Sequence, residues 1–440
     1  MIERNEEKDY YYDVTTVFKI MVTKVSFNKD TALLHEIASA TYARDTYRQI
    51  EHIGPASPPL AFDAPQVNAA TTLETCFCVP RQHPNNSAKE KKKIDLLRAQ
   101  NDWKVNRRAY IIMPGTTLTA TLCGEIRLCS VAQLVSDDDD DDQTYKETGE
   151  TVVIKMDKRQ TMKHLHDDTP HPIAENPWKE VSAMEFLGKD KCPYVMQLIE
   201  ALKDQDYLYE IMTYCPENLD SVMKRYPQGL EEDTAREYFK EILFALHHMH
   251  SHGVCHRDIS TQNILINEFG HCVLIDFGMC LRVPYPYLDD CRGEDVTDYA
   301  AGTPRRLIHS QTHCGKVRFM APEMYKMLDF DGLSVDLWSC GVVLFVMLTS
   351  RYPYGRPEEN DSGFHDLLDE CYYWDPAKVP QSLSWGRTIS PVALDLLRGI
   401  LHADPRERLT LAQVAEHPWL RGEPLPQEKS KAFLGSEEPR

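Results

Sequence analysis

The apolar residues of this chain change their pattern part-way along, from short strand-like runs to longer helix-like ones. Between residues 108 and 213, runs of strand length alternate with polar turns around one helix-like stretch. The strand-like runs are Tyr110–Met113, Glu125–Leu134, Thr151–Met156, Val195–Leu202 and Tyr207–Thr213, and the helix-like stretch is Pro177–Leu187. From residue 216 onward, helical spacing dominates, in Glu231–His252, Val335–Thr349 and Pro391–Leu401. A strand-rich part followed by a helix-rich part predicts two lobes of different architecture.

Charge follows a similar division. The 440 residues carry a formal charge of −19, yet residues 1–107 hold 15 basic and 14 acidic side chains and are nearly neutral. This balance excludes a general nucleic-acid binder, which needs a basic face to displace phosphate counterions. Six aspartates, Asp137–Asp142, fall between two predicted strands. We interpret them as a solvated loop insertion, because a metal site needs fixed geometry.

Several features indicate an intracellular protein. The thirteen cysteines show no short, evenly spaced disulfide framework. The N-terminus carries charges where a signal peptide needs an apolar core, and the longest apolar run, Val342–Leu348, is too short to span a bilayer. We expect a cytoplasmic protein without a membrane span, and the basic run Lys91–Lys93 leaves the nucleus open as an alternative.

The first 107 residues are left unassigned. Residues 14–27 alternate like strands, residues 31–50 have helical spacing, and residues 54–87 are rich in Pro, Ala, Thr and Asn and predict a linker. The basic stretch 87–108 is interpreted as solvated helix surface. A polar tail is predicted for residues 422–440.

Six short motifs follow one another in a fixed order. They are VVIK at 152–155, HRDISTQN at 256–263, DFG at 276–278, APE at 321–323, DLWSCGV at 336–342 and DPRER at 404–408. This ordered series resembles the eukaryotic protein kinase superfamily, as a divergent serine/threonine-type member. The resemblance covers residues 108–421 and implies an α+β, bilobal kinase-like fold. The small antiparallel β lobe with one key helix would be about 108–213, and the larger, mainly α lobe about 216–421.

The resemblance implies the parts of a phosphoryl-transfer site that uses ATP and Mg²⁺. Asp258 would orient the acceptor hydroxyl, and Lys155 would hold the α- and β-phosphates. Glu180 would pair with Lys155, with Glu185 as its rival. Asn263 and Asp276 would be the oxygen ligands of Mg²⁺.

The remaining implied roles concern the nucleotide and the support of the site. The backbone of Thr213 and Cys215 would bind the adenine edge, and the other residues placed at the nucleotide are Gly124, Ile126, Val153 and Leu265. Asp336 would anchor the catalytic loop, and Glu323 and Arg408 would form an ion pair that pins the activation segment. His256 and Phe277 would join Met184 and Leu198 in an apolar stack.

The chain departs from the family at three places. Only Gly124 remains of the three glycines in the nucleotide loop, and the catalytic loop has Ser260 where serine/threonine kinases usually have lysine. Lys316, in turn, stands where they usually have threonine. We hypothesise an exchange, in which Lys316 supplies the ammonium and Ser260 the hydroxyl at Asp258. The alternative is that Lys316 points to solvent.

The sequence favours an active kinase that phosphorylates Ser or Thr in protein substrates, and basic peptides in particular, because the chain is acidic. A pseudokinase scaffold that binds nucleotide and a tyrosine or dual-specificity kinase are the alternatives. Thr312 has the spacing of an activating phosphosite, and Arg257 could pair with its phosphate. Oligomeric state, pathway and upstream activator stay open.

Overall fold

The computed structural model describes residues 20–24, 74–81, 94–99, 108–136, 144–166, 174–283, 307–308, 313–368 and 389–423. Their contacts separate two compact units. We call the described residues up to 166, together with 197–214, the β unit. We call residues 174–196 and those from Cys215 onward the helical unit.

The β unit is a closed antiparallel barrel. Its strands are β1 (Ile20–Lys24), β2 (Glu74–Arg81), β3 (Ile94–Ala99), β4 (Arg108–Ala120), β5 (Gly124–Ser136), β6 (Thr144–Lys158), β7 (Leu198–Lys203) and β8 (Tyr207–Thr213). The order around the barrel is β1-β2-β3-β4-β5-β6-β8-β7, and β1 pairs again with β7. One helix, α1 (Arg159–His166), follows β6 directly.

Alternate residues of these strands fill the core of the β unit, as the period of two requires. The buried side chains are Tyr110 and Ile112 of β4, Cys129 and Val131 of β5, Val152, Ile154 and Met156 of β6, Leu202 of β7, and Tyr209 and Ile211 of β8. The packed face therefore fixes the register of β6, the strand that carries Lys155.

Two expectations for the N-terminal part were wrong. Residues 74–81, inside the predicted linker, form β2, and residues 94–99, inside the predicted helix surface, form β3. The two strands pair with each other, and β3 pairs with β4. Strand formation depends on packing against neighbouring strands as well as on local preference, so composition alone did not reveal them. The predicted helix at 31–50 and the aspartate run lie outside the described residues.

The helical unit contains most of the helices and only short strands. Its helices are α2 (Pro177–Leu187), α3 (Leu219–Met223), α4 (Glu232–Ser251), α5 (Pro322–Tyr325), α6 (Gly332–Thr349), α7 (Ser362–Leu368), α8 (Pro391–Ile400), α9 (Leu411–Ala415) and α10 (Pro418–Arg421). Its strands are β9 (Glu217–Asn218), β10 (Val254–Cys255), β11 (Ile264–Ile266), β12 (Cys272–Leu274) and β13 (Leu281–Arg282). The predicted α+β class, with one β part and one mainly helical part, is confirmed.

Helix α2 begins where its sequence predicts, at a proline preceded by a capping asparagine. The Asn176 side chain accepts hydrogen bonds from the backbone N–H groups of Trp178 and Lys179. The helix belongs to the helical unit rather than to the β unit, which differs from the predicted division. The Asn176 N–H donates to the Gly278 carbonyl at 3.0 Å, and this contact ties the start of the helix to the DFG motif.

Helix α6 is the central apolar element of the helical unit. Among the described residues, it is the one helix long and apolar enough to cross a membrane by length and composition. However, 94% of its 18-residue apolar window is buried inside the protein. Such burial is typical of a core helix.

Candidate active site

The catalytic loop, residues 256–263, is fixed by one buried carboxylate of helix α6. Asp336 accepts hydrogen bonds from the backbone N–H groups of His256 and Arg257, each at 2.7 Å. Its Oδ2 also lies 3.0 Å from His250 Nε2. Because Asp336 is fully buried, these bonds hold the loop backbone at a fixed place on the helix. The contact is the one that the resemblance implied for Asp336.

Within the loop, Asn263 and Asp258 are bonded to each other. Asn263 Nδ2 donates to the Asp258 carbonyl at 2.9 Å and to Asp258 Oδ2 at 2.8 Å. Both donors of the amide are thereby used, so its oxygen Oδ1 is directed away from the Asp258 carboxylate. Asp258 and Asn263 are both buried.

Asp276 lies close to Asn263 because of the β11–β12 hairpin. The Ile275 N–H donates to the Asn263 carbonyl at 3.0 Å, just beyond the pairing of Ile264 with Leu274. Asp276 itself adopts a left-handed backbone, with φ +70°, a conformation that is strained for a residue other than glycine. Two oxygen-bearing side chains thus leave one end of the same hairpin.

His256 holds the catalytic loop through both nitrogens of its ring. Its Nδ1 accepts from the Asp258 N–H at 3.2 Å, so its Nε2 carries the proton and donates to the Ile275 carbonyl at 2.9 Å. Its ring lies 5.4 Å from the ring of the fully buried Phe277, and Met184 is also buried. Leu198, the fourth member of the predicted stack, belongs to the β unit.

Lys316 lies at Asp258 rather than in solvent. Its Nζ donates to Asp258 Oδ2 at 2.7 Å and to Asn263 Oδ1 at 3.2 Å, and its backbone N–H donates to Asp258 Oδ1 at 2.9 Å. The other half of the hypothesised exchange was wrong. The Ser260 hydroxyl is fully buried and accepts from the Asn263 N–H at 3.3 Å, closing the loop turn instead of contacting Asp258.

Sequence reasoning missed two further residues at this centre. Gly315 has φ +88°, and a Cβ there would lie 2.4 Å from the Arg257 carbonyl oxygen. Lys179 is buried, and its pKa falls to about 8 because of burial and, second, the charge of Arg257. Arg257 donates its Nε–H to the Met279 carbonyl at 2.8 Å. The sequence offered one signal for each residue. Gly315 stands next to Lys316 in HCGK, and Lys179 stands next to Glu180 in WKEV.

Glu323 and Arg408 form a buried, two-pronged ion pair. The guanidinium nitrogens lie 2.8 Å and 3.1 Å from the two carboxylate oxygens. Arg408 also donates to the carbonyls of Ser334 and His402. The geometry fits the expected pin for the end of the activation segment. Thr312 lies outside the described residues, so its phosphorylation stays a prediction.

The β unit carries the other predicted nucleotide residues. Lys155 is buried on β6, with its Nζ 4.0 Å from Asp157 Oδ2, and it pairs in register with Ile126 of β5. Val153 is buried one pleat earlier on β6. Gly124 packs against its own sheet, since a Cβ there would lie 1.7 Å from the Met156 carbonyl oxygen.

The remaining predicted residues are distributed between the two units. Thr213 is the exposed last residue of β8, and Leu265 is half-buried on β11. Burial raises the pKa of the Cys215 thiol to about 11. Glu180 is buried on α2 of the helical unit, and Glu185 on the same helix is half-buried. The pairing of Lys155 with Glu180 stays a prediction, as does the binding of adenine at Thr213 and Cys215.

The chain is similar to several curated kinases. It is 30% identical to CBL-interacting protein kinase 25 of Oryza sativa subsp. japonica, over 63% of this chain and 47% of that protein. It is 30% identical to CBL-interacting serine/threonine-protein kinase 3 of Arabidopsis thaliana, over 62% of this chain and 54% of that protein. It is also 30% identical to maternal embryonic leucine zipper kinase of Danio rerio, over 66% of this chain and 37% of that protein.

These alignments span about half the length of the first two relatives and less of the third. A family model described as the protein kinase domain matches residues 142–420, which include Lys155, the catalytic loop and Arg408. Since this match covers more than half of the chain, the chain belongs to the protein kinase domain family.

Proposed function

We propose that the chain is an ATP-dependent protein kinase that transfers the γ-phosphoryl group of ATP to Ser or Thr hydroxyls of protein substrates. The observation that carries the proposal is the bonded pair Asp258–Asn263, held on a loop that Asp336 anchors to helix α6. Enzymes of this class catalyse mainly by positioning and by charge stabilisation, so a rigid carboxylate of fixed direction is the essential part.

In the proposed reaction, Asp258 orients the acceptor hydroxyl and accepts its proton. The hydroxyl oxygen forms a bond to the γ-phosphorus, and the bond from that phosphorus to the bridging oxygen breaks, so that ADP leaves with the electron pair. Asn263 contributes by fixing the Asp258 carboxylate through its Nδ2. In the β unit, Lys155 would hold phosphate oxygens, as the family membership suggests.

The donor set fits Mg²⁺. Asn263 Oδ1 and the Asp276 carboxylate are hard oxygen donors, and Ile275, next to Asp276, is bonded to the Asn263 carbonyl. Bound Mg²⁺ would neutralise phosphate charge. The residues of this chain contribute the orientation. Both amide hydrogens of Asn263 are donated to Asp258, and its Oδ1, which accepts from Lys316 Nζ at 3.2 Å, keeps a second acceptor position for the metal.

Serine/threonine specificity is favoured by the relatives, one of which is named a serine/threonine-protein kinase. We also propose an intracellular location. Nine of the cysteines in the described part of the chain, from Cys123 to Cys340, are free, as expected in a reducing compartment.

A transfer assay with labelled ATP tests the proposal. The full chain is incubated with three otherwise identical peptides that offer Ser, Thr or Tyr. We expect label on the Ser and Thr peptides, and a loss of about 10²–10⁴-fold for Asp258→Asn, because the proton acceptor is removed.

Asp206→Asn is the control, since it changes an exposed carboxylate in the turn between β7 and β8 and should leave transfer unchanged. Label on the Tyr peptide alone would contradict the proposed specificity. ATP-induced thermal stabilisation without any transfer would contradict the enzyme and favour the scaffold.

A further inference from the structure

After Asp258, the catalytic loop carries no cation at residue 260 or 262, the positions from which one would face the transferring phosphoryl group. Ser260 is fully buried and its hydroxyl is used within the loop, while Gln262 is exposed and uncharged. A transferring phosphoryl group carries charge on its equatorial oxygens, and an active site of this class needs a cation near that charge. In this chain the cation nearest to Asp258 comes from a different segment.

Lys316 reaches this point with three directed hydrogen bonds. Its backbone N–H and its Nζ bond the two different oxygens of Asp258, at 2.9 Å and 2.7 Å, and Nζ also contacts Asn263 Oδ1 at 3.2 Å. Two contacts from one residue to both carboxylate oxygens fix the plane of that carboxylate. Charge-assisted bonds of this length are the stronger kind.

The ammonium group has one donor left for a ligand. An ammonium carries three hydrogens, and among the described residues two of them are used, by Asp258 and Asn263. The Lys316 side chain is 34% exposed, whereas the Asp258 side chain is only 5% exposed. The third hydrogen is therefore available at the accessible edge of a buried carboxylate, where the acceptor hydroxyl and phosphoryl oxygens would meet.

Gly315 explains how the segment comes this close. A Cβ at residue 315 would lie 2.4 Å from the Arg257 carbonyl oxygen and 3.3 Å from Asp258 Oδ1, and φ is +88°. Glycine is the residue that tolerates both conditions. The Gly315 N–H also lies 3.1 Å from Met279 Sδ. The glycine backbone at residue 315 thus allows Lys316 to contact Asp258.

We propose that Lys316 is the cation of the catalytic centre, supplied by the activation segment in place of a lysine on the catalytic loop. It holds Asp258 through Oδ1 and Oδ2, and directs its remaining N–H to the transferring phosphoryl group. The inference rests on the proposed kinase function. It also makes the centre complete only while residues 315 and 316 lie against the loop.

The test measures kcat, the KM for ATP and the thermal unfolding midpoint for Lys316→Met in the full chain. We expect kcat to fall about 10²–10³-fold, as when one charge-stabilising donor is removed elsewhere. The KM for ATP should stay within about twofold, because the interaction with Lys316 forms mainly in the transition state. Lys326→Met is the matched control, since Lys326 is an exposed lysine of the same region that pairs with Glu359 at 3.6 Å.

Chemical rescue separates a catalytic ammonium from a structural one. Lys316→Ala leaves space at an exposed edge, and added ethylammonium should restore part of its kcat in a saturable manner, while leaving Lys326→Ala unaffected. Turnover of Lys316→Met within about twofold of wild type would overturn the inference. A fall in kcat matched by a lower unfolding midpoint and no rescue would also overturn it. No transfer by wild type and Lys326→Met alike would instead refute the kinase function, and this inference with it.

Discussion

At the scale of single residues, Lys179 is a charge placed where its solvation is poor. It is buried on α2 beside Arg257, with its Nζ donating to the Ala174 carbonyl at 3.2 Å. Burial, then the like charge of Arg257, lowers the pKa of Lys179 to about 8. The two neighbouring cations thus disfavour the charged form of Lys179 in this buried place.

This shift predicts how stability depends on pH. An unfolded lysine has a pKa of about 10.4, so between about pH 8 and pH 10.4 the unfolded state binds more protons than the folded state. The free energy of unfolding contributed by Lys179 should therefore rise with pH across that window. Lys179→Met should remove this rise and be more stable than wild type at pH 7, by on the order of 3 kcal/mol.

Urea unfolding at pH 7, 8.5 and 9.5 would measure both effects, with the exposed Lys326→Met as the control. An unchanged slope against pH in Lys179→Met would mean that this lysine is not the source of the dependence.

The predictable part of the site is the part that local sequence determines. Asp336 could be placed on the catalytic-loop backbone because both ends of that contact lie in recognisable motifs. The partner of the Ser260 hydroxyl could not, because it depends on how the loop closes on itself at Asn263. The proximity of Lys179 to Arg257 could not be predicted either, because the two residues are far apart in sequence and neither one alone indicates the contact.

At the scale of elements, Gly124 of the β4–β5 hairpin has a packing role in addition to the nucleotide-binding role that the resemblance implied. The Thr121 side chain lies 3.2 Å from Asp157 Oδ1 and accepts from the Gly124 N–H at 2.9 Å, so the turn is bonded to itself and to β6. Gly124 lies against the Met156 carbonyl of the same strand. The retained glycine is therefore required by sheet packing, independently of any phosphate.

Gly124→Ala should accordingly destabilise the protein without nucleotide, by about 1–3 kcal/mol, because the new methyl group meets a backbone oxygen that cannot move freely. Thermal unfolding without ligand measures this. Gly149→Ala is the control, since a Cβ there meets nothing within 4 Å and adds only the strain of φ +79°. Equal midpoints for Gly124→Ala and wild type would contradict the packing role.

Helices were easier to predict than strands in this chain. Asn176 followed by proline marks the start of α2, and continuous apolar spacing marks α6. Strands β2 and β3 had no comparable signal, although β2 pairs with β3 and β3 with β4, which follow one another along the chain. A strand forms its backbone hydrogen bonds with neighbouring strands, whereas a helix forms them within its own segment.

At the scale of the whole molecule, charge acts over a longer range than any contact. The formal charge of −19 would favour basic peptides as substrates of the proposed kinase. Close to Asp258 the charge is reversed, since Lys316 bonds its carboxylate. We expect kcat/KM for a lysine-flanked peptide to fall several-fold between about 0.05 M and 0.5 M salt, because screening removes long-range attraction.

An acceptor peptide with neutral flanks is the control and should change little. A lysine-flanked peptide whose kcat/KM is independent of salt would show that the net charge does not guide substrates to this kinase.

Helix α6 has a consequence for how the chain is made. Its packing partner α8, whose Ile400 would lie 2.5 Å from a Cβ at Gly341, follows about 40 residues later in the sequence. At about 5–20 residues per second, a ribosome leaves this apolar segment without that partner for several seconds. During synthesis the face of this core helix that packs against α8 therefore stays uncovered until residues 391–400 emerge.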